Sequence, residues 1–280
     1  MNDQHYPKIT NWDDAYENGA YIENGSQFPP LWDHQAADFR QNMGALAELN
    51  IPYGSKPRQK MDLFHPQGEV KGLLVFVHGG YWKAFDKSTW SHLAQGPIGQ
   101  GWAVAMPSYT LAPEARITEI TQEIGMAITH AAGRIDGPIH LTGHSAGGHL
   151  VTRMLCANGP IMSAAANPVL KRIKKVISIS GVHDLRPLLN TTMNNTLQLD
   201  AAEATTESVV LQQPNHKVEL VCLVGGSERP EFIRQSTLLA NVWAGLGLET
   251  RLTVADGKHH FDVIETLTTS DTEALRTTFL

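Results

Sequence analysis

The chain has 280 residues, enough for one large α/β domain or two small ones, and no seam in its composition marks a second domain. Hydrophobic residues make up 42% and charged residues 18%, the balance of a globular protein and not of a disordered or fibrous one. A formal net charge of −6 leaves no electrostatic footprint for nucleic acid or an anionic membrane.

The first residues, Met1-Asn2-Asp3-Gln4-His5-Tyr6, lack a basic start followed by an apolar stretch. No run approaches the roughly 18 apolar residues that span a bilayer, so a cytoplasmic location is expected. Trp12 to Ala47 carries Tyr16, Tyr21, Phe28, Trp32 and Phe39 ahead of the first buried strand. It reads as part of an N-terminal arm, about residues 1–50, that either docks on the body or folds over a site as a lid.

Leu73 to Val77 is a fully apolar strand that runs into His78-Gly79-Gly80-Tyr81-Trp82. Two successive glycines let backbone N–H groups approach an oxygen closely, so the segment reads as an oxyanion-hole loop with Gly80 and Tyr81 as donors. An ordinary turn could also carry His-Gly-Gly, and the residues downstream decide between the two. After a strand at Ala103 to Ser108 and a helix at Glu114 to Arg134, the strand Ile139 to Thr142 meets Gly143-His144-Ser145-Ala146-Gly147 and a helix at Ala146 to Ala157. That is the strand–turn–helix setting of a G-x-S-x-G nucleophile elbow, with Ser145 as nucleophile and the Ala146 N–H as a further oxyanion donor.

Lys171-Arg172-Ile173-Lys174-Lys175 leads into the strand Val176 to Ser180 and reads as a solvated lead-in, an anion-binding patch being the alternative. His183 to Pro214 is a long insertion, about 183–214, in the place where such sheets bear a cap. A strand at Val218 to Val224, a helix at Glu231 to Leu246, a strand at Thr250 to Ala255 and a helix at Asp262 to Leu267 complete the chain. The alternation predicts a mostly parallel sheet with helices on both faces, its working groups at the carboxyl ends of the strands. Cys156 and Cys222 fall within a predicted helix and a predicted strand and read as buried free thiols. No metal-binding or nucleotide-binding motif is present, so no metal and no cofactor are expected. The partner these residues imply is a small-molecule substrate, bound by a monomer or a homo-oligomer.

An activated serine needs a base and an acid that orients the base, in the chain order serine, acid, histidine. That order leaves His183, His216, His259 and His260. His183 gives the acid little room before it and His216 opens a strand, whereas His259-His260 follows the last strand, and one of the pair should reach Ser145. For the acid, Glu228 lies on the loop after a strand, and Asp184, one strand earlier, is the alternative. Glu231, after Pro230, reads as a first-turn helix residue favoured by the dipole. His78 and His144 read as structural hydrogen-bonders that hold loop shape.

Together with Tyr53-Gly54 and Met61-Asp62-Leu63-Phe64-His65-Pro66, five segments carry a family resemblance: His78 to Trp82, Gly143 to Leu150, Gly181 to Leu188, Pro230 to Ser236 and His260-Phe261-Asp262-Val263-Ile264. Over roughly residues 15–270 the chain resembles the kynurenine formamidases (arylformamidases) of the α/β-hydrolase fold. Tyr109-Thr110-Leu111-Ala112-Pro113-Glu114 also resembles the hormone-sensitive-lipase-like esterases, which share fold and mechanism. The resemblance implies Ser145 as nucleophile, Glu228 at the acid position and His260, directly before Phe261, as base. It implies metal-free cleavage of N-formyl-L-kynurenine to formate and L-kynurenine; a carboxylesterase acting on small acyl esters and a non-catalytic binding protein on the same fold are the alternatives. The family's usual acid is aspartate, and the longer stem of glutamate must be accommodated here. Tyr81 and Trp82 either wall the substrate ring or pack beneath the oxyanion loop.

Overall fold

Eight strands form one sheet: β1 (Ala47–Pro52), β2 (Lys60–Phe64), β3 (Leu73–Val77), β4 (Ala103–Pro107), β5 (Ile139–His144), β6 (Ile173–Ile179), β7 (Glu219–Gly225) and β8 (Thr250–Ala255). The structure, a computed structural model, describes residues 8–161, 168–214, 218–270 and 272–280. Strand order is β1-β2-β4-β3-β5-β6-β7-β8, with β1–β2 and β2–β4 antiparallel and every other pairing parallel. This is the α/β-hydrolase fold.

The helices are α1 (Trp12–Tyr16), α2 (Phe28–Met43), α3 (Gln95–Gly99), α4 (Ile117–Ala132), α5 (Ala146–Arg153), α6 (Pro168–Arg172), α7 (Asn194–Leu197), α8 (Ala201–Glu207), α9 (Pro230–Gly245) and α10 (Glu273–Phe279). Alternation along β3 shows how the sheet feeds two cores. Leu73, Val75 and Val77 join a core with residues of α4, α5 and α9, while Leu74 and Phe76 join a second with residues of α2 and α10. A strand buried on both faces needs an unbroken apolar run, which is why β3 is legible in the sequence.

Three parts of the molecule differ from the sequence reading. β1 and β2 are strands where none was predicted, since β1 is half exposed and β2 carries the buried Asp62, whose carboxylate takes Lys87 Nζ at 2.9 Å. The arm contains the 16-residue helix α2, which tolerates Pro29 and Pro30 because the first turn has no N–H bonds to lose. Its Trp32 packs on Trp90 at 4.7 Å between ring centroids. The last predicted helix is a 3-10 turn, Val263–Thr268.

The basic run is spent on structure: Arg172 donates to the carbonyls of Ala132 and Gly137, each at 2.7 Å, and Lys175 pairs with Glu219 at 3.4 Å. Segment 183–214 is packed, with Leu185, Leu188, Leu197, Leu199, Ala204 and Val209 in the core of α4 and α5. Glu207 of α8 forms a buried ion pair with Arg153 of α5 at 3.0 Å. Cys156 and Cys222 are buried free thiols. Among the described residues no helix is long and apolar enough to cross a membrane.

Candidate active site

The carboxyl ends of β3, β5, β6, β7 and β8 supply the site. Ser145 closes the tight turn between β5 and α5 with φ 55° and ψ −116°, a conformation that costs a non-glycine residue strain and persists only where its surroundings over-determine it. The surroundings do so here. The Ser145 N–H donates to the carbonyl of Ile179 on the adjacent β6 at 2.8 Å, and a Cβ at Gly147 would lie 1.9 Å from the carbonyl oxygen of Val77. Only glycine allows α5 to pass so close to β3. The Ser145 side chain does not cap α5, so its hydroxyl is left for other work.

The loop after β3 touches the elbow, since a Cβ at Gly79 would come within 3.0 Å of Ser145 Cβ. Gly80, Tyr81 and Trp82 follow at φ 103°, 50° and 57°, three successive positive values that turn their N–H groups out of any regular ladder. Among the described residues the N–H groups of Gly80, Tyr81 and Ala146 donate to no acceptor. For Ala146 this follows from its place in the first turn of α5. Trp82 is fully buried in the core and edge-on to His149 at 5.2 Å, so it packs beneath the loop instead of forming a wall. Tyr81 is half-buried, and its hydroxyl donates to the backbone carbonyl of Tyr16 in the arm at 2.6 Å.

Of the late histidines, His260 meets a carboxylate: its Nδ1 donates to Glu228 Oε2 at 2.6 Å, and both side chains are buried. The other oxygen, Oε1, accepts the Gly225 N–H at 2.7 Å and the Ser180 hydroxyl at 2.5 Å. With its proton fixed on Nδ1, the imidazole keeps Nε2 as its basic nitrogen. Partial burial pushes the Asp184 carboxyl up, but two bonds of 2.8 Å from Arg186 outweigh it and hold the group below the usual carboxylate range. His183 is enclosed, its ring 3.0 Å from Ser178 Oγ and 3.4 Å from Thr152 Oγ1. His259 accepts at Nδ1 from the N–H groups of Phe261 and Asp262 and lies edge-on to Phe28 of α2. His216 lies outside the described residues.

His78 and His144 hold loops. His78 donates from Nδ1 to the Gly79 carbonyl at 2.8 Å and stacks on Tyr109, and burial brings its pKa down to about 4. His144 donates from Nε2 to the His260 carbonyl at 2.9 Å, its ring 4.6 Å from that of His260, and burial keeps it well below the ordinary imidazole value. Among the described residues no hydrogen bond joins Ser145 to the His260 ring. His144, the neighbour of Ser145, is what ties the elbow to the histidine loop.

Two contributors escaped the sequence reading. Ser180 was one serine of several near strand ends, and its destination depends on where β7 places Glu228. Gln235 is fully buried, taking the N–H groups of His183 and Asp184 at 2.8 and 2.7 Å while donating to the Tyr16 hydroxyl at 3.1 Å. An uncharged glutamine in an amphipathic helix carries no local signal of such a role.

As a whole, the chain is similar to known proteins. The BD-FAE family model matches residues 61–233. A kynurenine formamidase of Salmo salar is 27% identical over 87% of this chain and 90% of its own length. A crystal structure of a candidate thioesterase from Silicibacter sp. tm1040 is 50% identical, covers 95% of this chain and 98% of its own, and superposes with a TM-score of 0.87. Esterase B of Lactobacillus rhamnosis shares the fold at 18% identity, with a TM-score of 0.67 over 90% of this chain and 91% of its own. The chain is a hydrolase on the α/β-hydrolase fold, similar to the kynurenine formamidases, and it belongs to the BD-FAE family.

Proposed function

We propose that this hydrolase cleaves N-formyl-L-kynurenine to formate and L-kynurenine, with Ser145 as nucleophile, His260 as base and Glu228 as the acid that orients it. The observation that carries the reading is the buried 2.6 Å bond from His260 Nδ1 to Glu228, on the loop that His144 ties to the Ser145 elbow. The likeness to kynurenine formamidases over nearly nine-tenths of the chain supports the substrate. Catalytic hydrogen bonds are commonly long in an unliganded enzyme, so the Ser145–His260 bond is expected to close when substrate arrives.

Ser145 Oγ attacks the formyl carbon as its proton passes to His260 Nε2, and the carbonyl oxygen becomes an oxyanion met by the N–H groups of Gly80, Tyr81 and Ala146. His260 then protonates the aryl-amine nitrogen, the C–N bond breaks and L-kynurenine leaves. Water attacks the formyl ester as its proton passes to His260, the C–Oγ bond breaks to release formate, and His260 returns the proton to Ser145 Oγ. An anilide nitrogen leaves poorly unless protonated, which makes the second proton transfer as demanding as the first. Tyr81 joins the loop after β3 to the arm, its hydroxyl donating to the Tyr16 carbonyl at 2.6 Å.

The test is turnover of N-formyl-L-kynurenine beside its acetyl analogue, short p-nitrophenyl esters and an acyl thioester. The thioester is included because the 50% identical relative is described as a candidate thioesterase. The formyl substrate is expected to have the highest kcat/KM, with the acetyl analogue markedly worse, each added methylene being worth about 1–3 kcal/mol in a small pocket. An ester or thioester ahead by about tenfold would replace the substrate and leave the three residues in place.

A further inference from the structure

Ile179 and Ser180 are consecutive at the end of β6, and each grips a different part of the site. The Ile179 carbonyl holds the Ser145 N–H at 2.8 Å, while the Ser180 hydroxyl donates to Glu228 Oε1. We infer that Ser180 is a positioning residue of the charge relay, fixing the glutamate carboxylate so that its second oxygen meets His260. The inference rests on the proposed roles of Ser145, His260 and Glu228.

The Glu228 side chain is fully buried, so protein donors must do for its carboxylate what water otherwise would, and it has three: Ser180, Gly225 and His260. Two of them share Oε1. Glutamate has one more torsion than aspartate, and its last torsion is broad, so a single backbone donor leaves the carboxylate free to swing about its own axis. The Ser180 hydroxyl, directly after the neighbouring strand β6, supplies the second fixed point. Gly225 makes room for the longer stem, since a Cβ there would lie 3.1 Å from Glu228 Cγ and closer still to the Lys258 carbonyl oxygen.

The backbone of Ser180 points the same way. Its φ is 52°, where glycine rests without strain and a serine does not. Its N–H donates to the Leu223 carbonyl at 2.7 Å, a bond that glycine would make as well. A purely architectural role at this position therefore favours glycine, and what serine adds is the hydroxyl.

The experiment uses the full chain with Ser180→Gly and Ser180→Ala, alongside Glu228→Gln. Ser180→Gly is expected to hold or raise Tm, because it relieves the positive φ, while kcat falls about tenfold to a hundredfold and KM stays within about twofold. The low-field proton resonance of the His260–Glu228 hydrogen bond should broaden or move in the same variant. If kcat stays within about twofold of the parent and the resonance is unmoved, Ser180 does not position the acid. A large loss of Tm in both Ser180 variants would assign the hydroxyl a structural role and overturn the inference equally. Glu228→Gln separates the two readings: a strong fall in kcat there with Ser180→Gly unaffected removes Ser180 alone, whereas no fall in Glu228→Gln removes the relay itself.

Discussion

The rim of the sheet and the N-terminal arm are built on different principles. At the rim, Ser145, Ser180, Tyr81 and Trp82 hold positive φ, and Gly147 lets α5 cross β3 at a distance no side chain would permit. These constraints are steric and do not bend with conditions. The arm is buried at Tyr16 and Trp32, but its outer edge is held by polar pairs with at least one half-exposed member: Asp14 with Arg229 at 2.5 Å, Asp13 with Thr192 at 2.7 and 2.9 Å, and Arg229 over the Tyr21 ring at 3.7 Å. Such contacts are screened by salt and individually replaceable. The rim is suited to chemistry that needs fixed geometry, and the outer edge of the arm to contacts that can be exchanged.

Changes at the rim should therefore be severe and changes in the arm mild. The largest effect is expected from Ser145→Ala: a loss of about a thousandfold or more in turnover, loss of covalent labelling by an organophosphonate, and an unchanged circular dichroism spectrum. Label found on another serine would reassign the nucleophile. Next comes Gly147→Ala, which places a methyl group against the Val77 carbonyl; we expect a fall in Tm beyond about 10 °C or failure to express in folded form. A variant of parental Tm would show that α5 can shift and that the rim is softer than its contacts indicate.

Acid should act on the interior behind the rim. Burial lowers His78 to about 4, and His149 and His183 to about 3, so these rings are neutral in the folded chain. The unfolded chain takes up their protons near the ordinary value of about 6.5, which draws the equilibrium toward unfolding as pH falls. The stability their neutrality allows is complete above about pH 6.5 and is lost progressively toward pH 4. Tm measured from pH 7.5 to 4.5 at constant ionic strength should fall steadily, and a flat profile would contradict the burial of these rings. The smallest effect is expected from Asp14→Asn in the arm: a change in kcat/KM of about threefold or less, carried by KM, with Tm altered by at most a few degrees. If it matched Ser145→Ala, the arm would belong with the rim.

Legibility in the sequence divides along the same line. β3 to β7 announce themselves as apolar runs because both their faces are largely buried, whereas β8, at the edge, is half exposed and was legible from its place in the alternation; the elbow and the loop after β3 announce themselves by their glycines. β1 and β2 stayed hidden because an antiparallel edge needs no such run, and β2 even buries Asp62. Helix α2 stayed hidden because its first turn holds two prolines and its apolar residues are interrupted by polar ones, seven of 16. Within the site, Glu228 and His260 were legible from chain order and the family resemblance, and the geometry pairs them while giving Asp184 to Arg186. Ser180 and Gln235 were not, since what a hydroxyl or an amide bonds to is decided by packing between elements distant in the chain. Trp82 had two readings, and the residue alone does not say on which side of a loop its ring will lie.

The bond from the Tyr81 hydroxyl to residue 16 has an unusual address. It ends on a main-chain carbonyl, which all twenty amino acids possess, so this bond to the loop after β3 does not itself require tyrosine at that position. Aligned relatives could differ freely at position 16 and still share the link, leaving no trace of it in a profile. Shortening the chain past Tyr16 is what severs it, and a trimmed enzyme would lose this support for the loop after β3 while keeping every residue proposed to act on the substrate.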